Sequence, residues 1–141
     1  FDIGAKVPFI VRAPDLSKPG TTSEAMVELV DIYPTLADLA GLKAPIHIQG
    51  SSLRPLLGNP ERLGKKKYAY SVVTRGPKKL GYALRNQNWR YGKWPDGEEL
   101  YNLKSDPQEK NNLAQKDHLK QRLLEFRKIL AEKQENLENT K

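Results

Sequence analysis

Four cations, Arg75, Arg85, Arg90 and Lys93, are interleaved with Tyr82, Trp89, Tyr91 and Trp94. A guanidinium grips a sulfate or carboxylate through parallel hydrogen bonds, and a flat ring beside it can pack on a sugar. The plainer reading makes the rings the core of a sheet and the cations its solvated face, because strand aromatics are ordinarily packing residues. Arg85 is the strongest binding candidate, since only Gly81 and Ala83 would share its strand face and leave room beside it. Arg75, Lys93, Trp94 and a loop histidine, His47, complete the candidate substrate-binding set.

Other groups offer less. His47 and His118 have no ligand spacing between them, and neither adjoins a Ser or Asp arranged for nucleophilic catalysis. Asp31 and Asp38 would need a shared cleft to act as a general acid and base, so Asp31 is read as a cap or a partner of loop amides. Asp106-Pro107-x-Glu109 has the form of a helix start, with Asp106 accepting from orphan amides and Glu109 reaching back. Calcium would demand six or more oxygens, more than the local acidic count supplies. With no cysteine present, disulfides, thiolate sites and cysteine-derived nucleophiles are excluded within these residues. No catalytic and no metal-binding residue is assigned to this chain, and no cofactor.

The 141 residues carry 24 Lys and Arg against 17 Asp and Glu, a net charge of +7. Such a field ranks partners by sign: nucleic acid, acidic lipid and sulfated polysaccharide all fit it. No motif for reading bases or stacking them is visible, so nucleic acid is not expected. No apolar run approaches the roughly 20 residues of a membrane span, and the start lacks both Met and the pattern of a signal peptide. The chain reads as a fragment.

Elements follow from pattern. Val7–Arg12 is a short apolar run expected as a strand (7–12) needing cover on both faces. Ile32, Leu36, Leu39 and Ala40 share a helical face over 33–41, with Pro34 in the first turn and Gly41 at the cap. Ser52 could cap a short helix over 52–57. Four strands then follow, Tyr68–Thr74, Leu80–Asn86, Trp89–Trp94 and Glu99–Leu103, and connections so short join only antiparallel neighbours. Leu119, Leu123, Phe126, Leu130 and Leu137 mark a long amphipathic helix over 116–136, with Glu125 placed to pair with Lys128 and the tail fraying. The fold class is α+β: a four-stranded antiparallel sheet with a long packed C-terminal helix, preceded by a strand and a short helix. An exposed edge at Val7–Val11 could make a fragment self-associate.

Several blocks resemble one family. Phe1-Asp2 followed by Val7-Pro8-Phe9-Ile10, the Val27–Gly41 segment, Gly81-Tyr82-Ala83-Leu84-Arg85 with Trp89-Arg90-Tyr91, and Leu100-Tyr-Asn-Leu-x-x-Asp-Pro107 occur in the order of the type I, formylglycine-dependent sulfatases. The iduronate-2-sulfatase-like group is the nearest resemblance, and it covers Phe1 to about Ala114. It implies that residues 1–64 are the tail of a large α/β, alkaline phosphatase-like domain and that 65–141 form a C-terminal subdomain walling the substrate cleft. It further implies, for the full-length enzyme, a formylglycine nucleophile and Ca2+ lying before residue 1, the N-terminal part of the same enzyme as partner, a sulfated carbohydrate or glycosaminoglycan as substrate, and a periplasmic, secreted or lysosomal location. Two other readings stand beside it: an autonomous anion-binding module for glycosaminoglycan or nucleic acid, and the tail of a phosphonate or phosphate ester hydrolase of the same superfamily.

Overall fold

The computed structural model describes residues 2–14, 16, 18–76 and 79–138. Asp15, Ser17, Pro77 and the tail beyond Glu138, expected to turn or to fray, lie outside them. The chain divides into two compact units, Val7–Ala69 and Tyr70–Lys141, the latter taking in Phe1–Lys6. Before the first unit stands α1 (Asp2–Ala5), a single turn.

In the Val7–Ala69 unit a 3-10 turn over Leu29–Asp31 leads into α2 (Ile32–Leu39), which ends at Gly41 with φ 71°. That left-handed backbone favours glycine. A short α3 (Arg54–Gly58) follows, with Pro55 in its first turn. Residues 7–12 form no strand, contrary to the expectation. A strand exists by pairing its backbone groups, and among the described residues no neighbour pairs with this run.

Polar bonds hold this unit together. Asp31, only 1% exposed, accepts from Lys66 Nζ at 2.7 Å and from the backbone N–H groups of Ser51 at 2.8 Å and Glu28 at 2.9 Å. Lys66 also pairs with Glu28. One turn on, the Thr35 hydroxyl donates to the Asp31 carbonyl at 2.5 Å and accepts from the Leu53 N–H at 2.9 Å. The Ser52 hydroxyl donates to Asp38 at 2.5 Å, and Arg54 reaches the same carboxylate at 3.2 Å. Gly50 lies so close to Val30 that an added Cβ would overlap the Val30 carbonyl. Residues 50–53 are therefore clamped along α2, as the reading of Asp31 as a partner of loop amides anticipates.

In the other unit β1 (Ala69–Arg75), β2 (Lys79–Arg85), β3 (Trp89–Trp94) and β4 (Gly97–Asn102) form one sheet in the order β1-β2-β3-β4. The antiparallel register sets Ala83 opposite Gly92, Leu84 opposite Tyr91, and Arg90 opposite Tyr101. Asn86 shapes the β2–β3 connection by accepting from Asn88 and Trp89 N–H at 3.0 and 2.8 Å.

After a 3-10 turn at Asp117–Leu119, α4 (Lys120–Glu138) covers one sheet face. Leu123, Phe126 and Leu130 are buried, as are Leu84, Tyr91 and Leu100 of the strands. The Tyr91 and Phe126 rings stack 5.6 Å apart. On the polar flank of α4 the pair is Lys128 with Glu132 at 3.9 Å. A side chain closes the outer edge of β4. Asn112 accepts the Leu100 N–H at 3.0 Å and donates to the Glu98 carbonyl at 3.0 Å, and the Leu113 N–H donates to Leu100 O at 2.8 Å.

The expected helix start at Asp106 is corrected. Asp106 does accept from the amides of Lys110 and Asn111, at 3.1 and 2.8 Å, but these belong to a turn. Glu109 does not reach back: its backbone is left-handed, φ 53°, which breaks helical progress, and its buried carboxylate lies 3.6 Å from Arg90 Nε.

Candidate functional site

The pleat sorts the candidate residues. Residues opposite each other in the register share a face, so Gly81, Ala83 and Arg85 of β2 lie with Arg90, Gly92 and Trp94 of β3 and with Glu99 and Tyr101 of β4. This is the face turned away from α4. Arg75 joins it from β1, its guanidinium 4.4 Å over the Trp94 ring.

At one end of the face Trp94 lies flat on Gly81, where an added Cβ would overlap the indole. The room expected beside Arg85 at Gly81 is thus filled, because the register brings an indole across from the glycine. The Trp94 ring thus meets both Gly81 and the Arg75 guanidinium, and its Nε1 is buried with no hydrogen-bond partner among the described residues. Stacking engages the flat side of the Arg75 guanidinium and leaves its in-plane N–H donors able to meet an anion. Lys79 pairs with Asp96 at 3.1 Å beside it, and Lys79 holds the Asp96 carboxyl below its ordinary value.

At the other end, half-buried Arg85 donates to the Asn86 carbonyl at 3.2 Å. Opposite it, buried Arg90 lies 3.3 Å from Glu99 and 5.7 Å from the Tyr101 ring centroid. Arg85 and Gly81 are four residues apart on β2, roughly 13 Å at strand spacing. Between the two cationic ends the floor is Ala83 and Gly92, with the Glu99 carboxylate against Gly92. Arg75 and Arg85 mark the two ends of this span, while Lys79 is paired with Asp96 and Arg90 with Glu99 and Glu109.

The remaining candidates lie elsewhere. Lys93 points to the face under α4, 3.4 Å from Glu98. His47 is an exposed turn residue of the Val7–Ala69 unit, and His118 stands in the turn before α4. In the Val7–Ala69 unit a hollow of about 40 Å³ lined by Asp31, Leu53, Leu63 and Lys66 is far smaller than the roughly 300 Å³ of a ligand pocket. Among the described residues no three His, Asp or Glu side chains come together to hold a metal.

Sequence reasoning missed the pairing of Arg90 with Glu109 and the role of Glu98. Glu98 accepts from Tyr91 Oη at 2.5 Å and from Arg127 Nε at 2.9 Å. Arg127 first, then Tyr91, hold its carboxyl at about 2 against the opposing effect of burial. Burial first, then the bond to Glu98, push the Tyr91 phenol up. The available signal was the facing of Tyr91 and Glu98 on one side of neighbouring strands.

This four-stranded antiparallel sheet with a long C-terminal helix has structural neighbours among sulfatases of the alkaline phosphatase-like fold. Residues 1–136 match the family model for N-sulphoglucosamine sulphohydrolase, C-terminal, and the chain belongs to that family. It is 34% identical over 138 residues to the N-acetylglucosamine-6-O-sulfatase of Bacteroides thetaiotaomicron, covering 92% of this chain and 25% of the relative. A protein solved in complex with its substrate D-glucosamine-2-N,6-O-disulfate superposes with a TM-score of 0.85 at 32% identity, over 92% of this chain and 28% of that one. A 2-O GAG sulfatase superposes at 0.66 with 33% identity, over 72% and 23%. The chain spans about a quarter of the length of these proteins.

Proposed function

We propose that the chain is the substrate-shaping C-terminal part of a sulfatase that hydrolyses sulfate esters of sulfated sugars. The reaction centre, with its formylglycine and Ca2+, lies in polypeptide outside these residues. The observation that carries the reading is the basic sheet face: Arg75 stacked on Trp94 at one end and Arg85 at the other, within a domain whose relatives include a glucosamine sulfatase. On this reading Arg75 and Arg85 hold the acidic groups of the sugar through in-plane N–H donors, and Trp94 is the rigid backing that aims Arg75. Lys93 is a weaker member, since it lies on the other face of the sheet, and His47 stays a candidate of the Val7–Ala69 unit.

The resemblance of the sequence blocks to the iduronate-2-sulfatase-like group supports a 2-O-sulfated hexuronate as one candidate substrate. The relatives include both a 6-O-glucosamine and a 2-O GAG sulfatase, so the assay pairs the two substrates. Sulfate release from either by the intact enzyme is expected. Replacing Arg85 with Ala should raise KM about tenfold with kcat little changed, the pattern of lost uniform binding. Unchanged KM with a lower Tm would leave Arg85 purely structural, and hydrolysis of a phosphonate ester in place of both sulfates would overturn the sulfatase reading.

A further inference from the structure

A carboxylate lies in the middle of the basic sheet face. Ala83 of β2, Gly92 of β3 and Glu99 of β4 form one row across the strands, midway between the row of Trp94, on which Arg75 stacks, and the row of Arg85 and Arg90. Among the described strand residues that the register sets on this face, Glu99 is the one acid. Its Oε2 lies over Gly92, 3.1 Å from where a Cβ would stand, so any side chain at that position would crowd it. Among the described residues only Arg90 donates to Glu99, through Nη1 at 3.3 Å. The same guanidinium lies 3.6 Å from Glu109, so one buried cation faces two carboxylates. The side chain of Glu109 is 2% exposed and that of Glu99 is 23% exposed. The surplus negative charge is therefore presented to the surface by Glu99, and the face runs positive, negative, positive from Arg75 through Glu99 to Arg85.

We infer that Glu99 is a specificity-determining residue, accepting a free sugar hydroxyl and rejecting a further sulfate at that point of the substrate. This deepens the proposed function and rests on it. An ionised carboxylate offers about four acceptor sites, and Arg90 takes one of them. Glu99 is thus able to receive the proton donor that a hydroxyl supplies. A sulfate in the same place has no proton to give and sets like charges together, a repulsive element of the kind by which sites choose between similar ligands. The low floor of Ala83 and Gly92 lets a sugar ring come down to the carboxylate. The three charges then act as a ruler: an acidic group at Arg75 and at Arg85, and an unsulfated hydroxyl between them.

The test uses the intact enzyme and whichever sugar it cleaves, 6-O-sulfated glucosamine or 2-O-sulfated hexuronate, with analogues in which each free ring hydroxyl in turn carries an additional sulfate. The readout is the ratio of kcat/KM for the parent sugar to that for each analogue. At one position this ratio should be large, and Glu99→Gln, which keeps the shape and removes the charge, should lower it about tenfold. Glu109→Gln takes an equal charge from beside Arg90, but from a buried side chain, and should leave the ratio where it was. A ratio unchanged by Glu99→Gln overturns the assignment. So does a ratio lowered equally by Glu109→Gln, which would make Glu99 merely a partner of Arg90. Should the Gln variant not fold, Glu99→Asp keeps the charge and draws it back by one methylene. The ratio should then fall about threefold, since the repulsion weakens with distance, and an unchanged ratio overturns the role there too. Sulfate release from neither sugar defeats the proposed function, whereas sulfate release with an unchanged ratio defeats the role of Glu99 alone.

Discussion

Glu98 of β4 and Arg127 of α4 form a two-pronged ion pair across 29 positions of sequence, with Glu98 also accepting the Tyr91 hydroxyl. The helix is thereby fixed to the sheet by charge as well as by Phe126. With its carboxyl at about 2 in the fold and 4.5 ordinarily, Glu98 has a depressed pKa. Its stabilising effect is complete above 4.5 and is lost as pH falls through about 2. Glu98→Gln should cost about 1–3 kcal/mol near neutral pH. The gap in Tm between it and the unmutated chain should close between those two values, followed by circular dichroism. A gap independent of pH would remove the ionised pair as its cause.

Gly81→Ala should destabilise by about 1–3 kcal/mol, because the new methyl must displace the Trp94 ring. Trp94→Ala removes the obstacle, so the double variant should be less destabilised than the two single costs added together. Urea unfolding of all four proteins reads the coupling, and strict additivity would show that the ring and the glycine do not restrain each other.

Asn112→Ala strips the outer edge of β4 of an acceptor for Leu100 and a donor for Glu98, at about 1–2 kcal/mol. Asn112→Asp keeps the acceptor but sets a carboxylate against the Glu98 carbonyl, and should do no better than Ala. Hydrogen exchange at the Leu100 amide is the direct readout, and it should accelerate in both variants.

Lys66→Ala leaves Asp31 buried without its cation, a loss that typically costs about 3–5 kcal/mol. Exchange of the Ser51 amide, which Asp31 accepts, should rise well before that of Leu84 in the sheet. Equal protection in the variant would show that the clamp on residues 50–53 does not depend on Lys66.

Much of the sheet was legible because alternation and short connections leave few choices. Trp89–Trp94 was read to the residue, and the other three strands fell within two residues of their observed ends. The helix expected over 116–136 is seen as a turn at 117–119 and α4 to 138. What was not legible depends on distant partners. The spacing of Asp106 and Glu109 imitates a capping box, yet Glu109 is spent on Arg90, 19 positions away and across the sheet. Gly81 looked like open space because nothing local says that Trp94 will lie on it. Val7–Arg12 has strand composition, but composition cannot supply the neighbour that would make it one. Of the candidate site, the pleat unites Arg75, Arg85 and Trp94 and separates Lys93, a division that needed the observed register.

The amide of Asn112 stands where a fifth strand would begin, while among the described residues no further strand pairs with the outer border of β1. A linear polymer built by strand addition requires two receptive borders on every subunit, and this sheet offers one. Should copies ever join through this sheet, β1 against β1 closes the assembly at two, and a fibre has nowhere to grow.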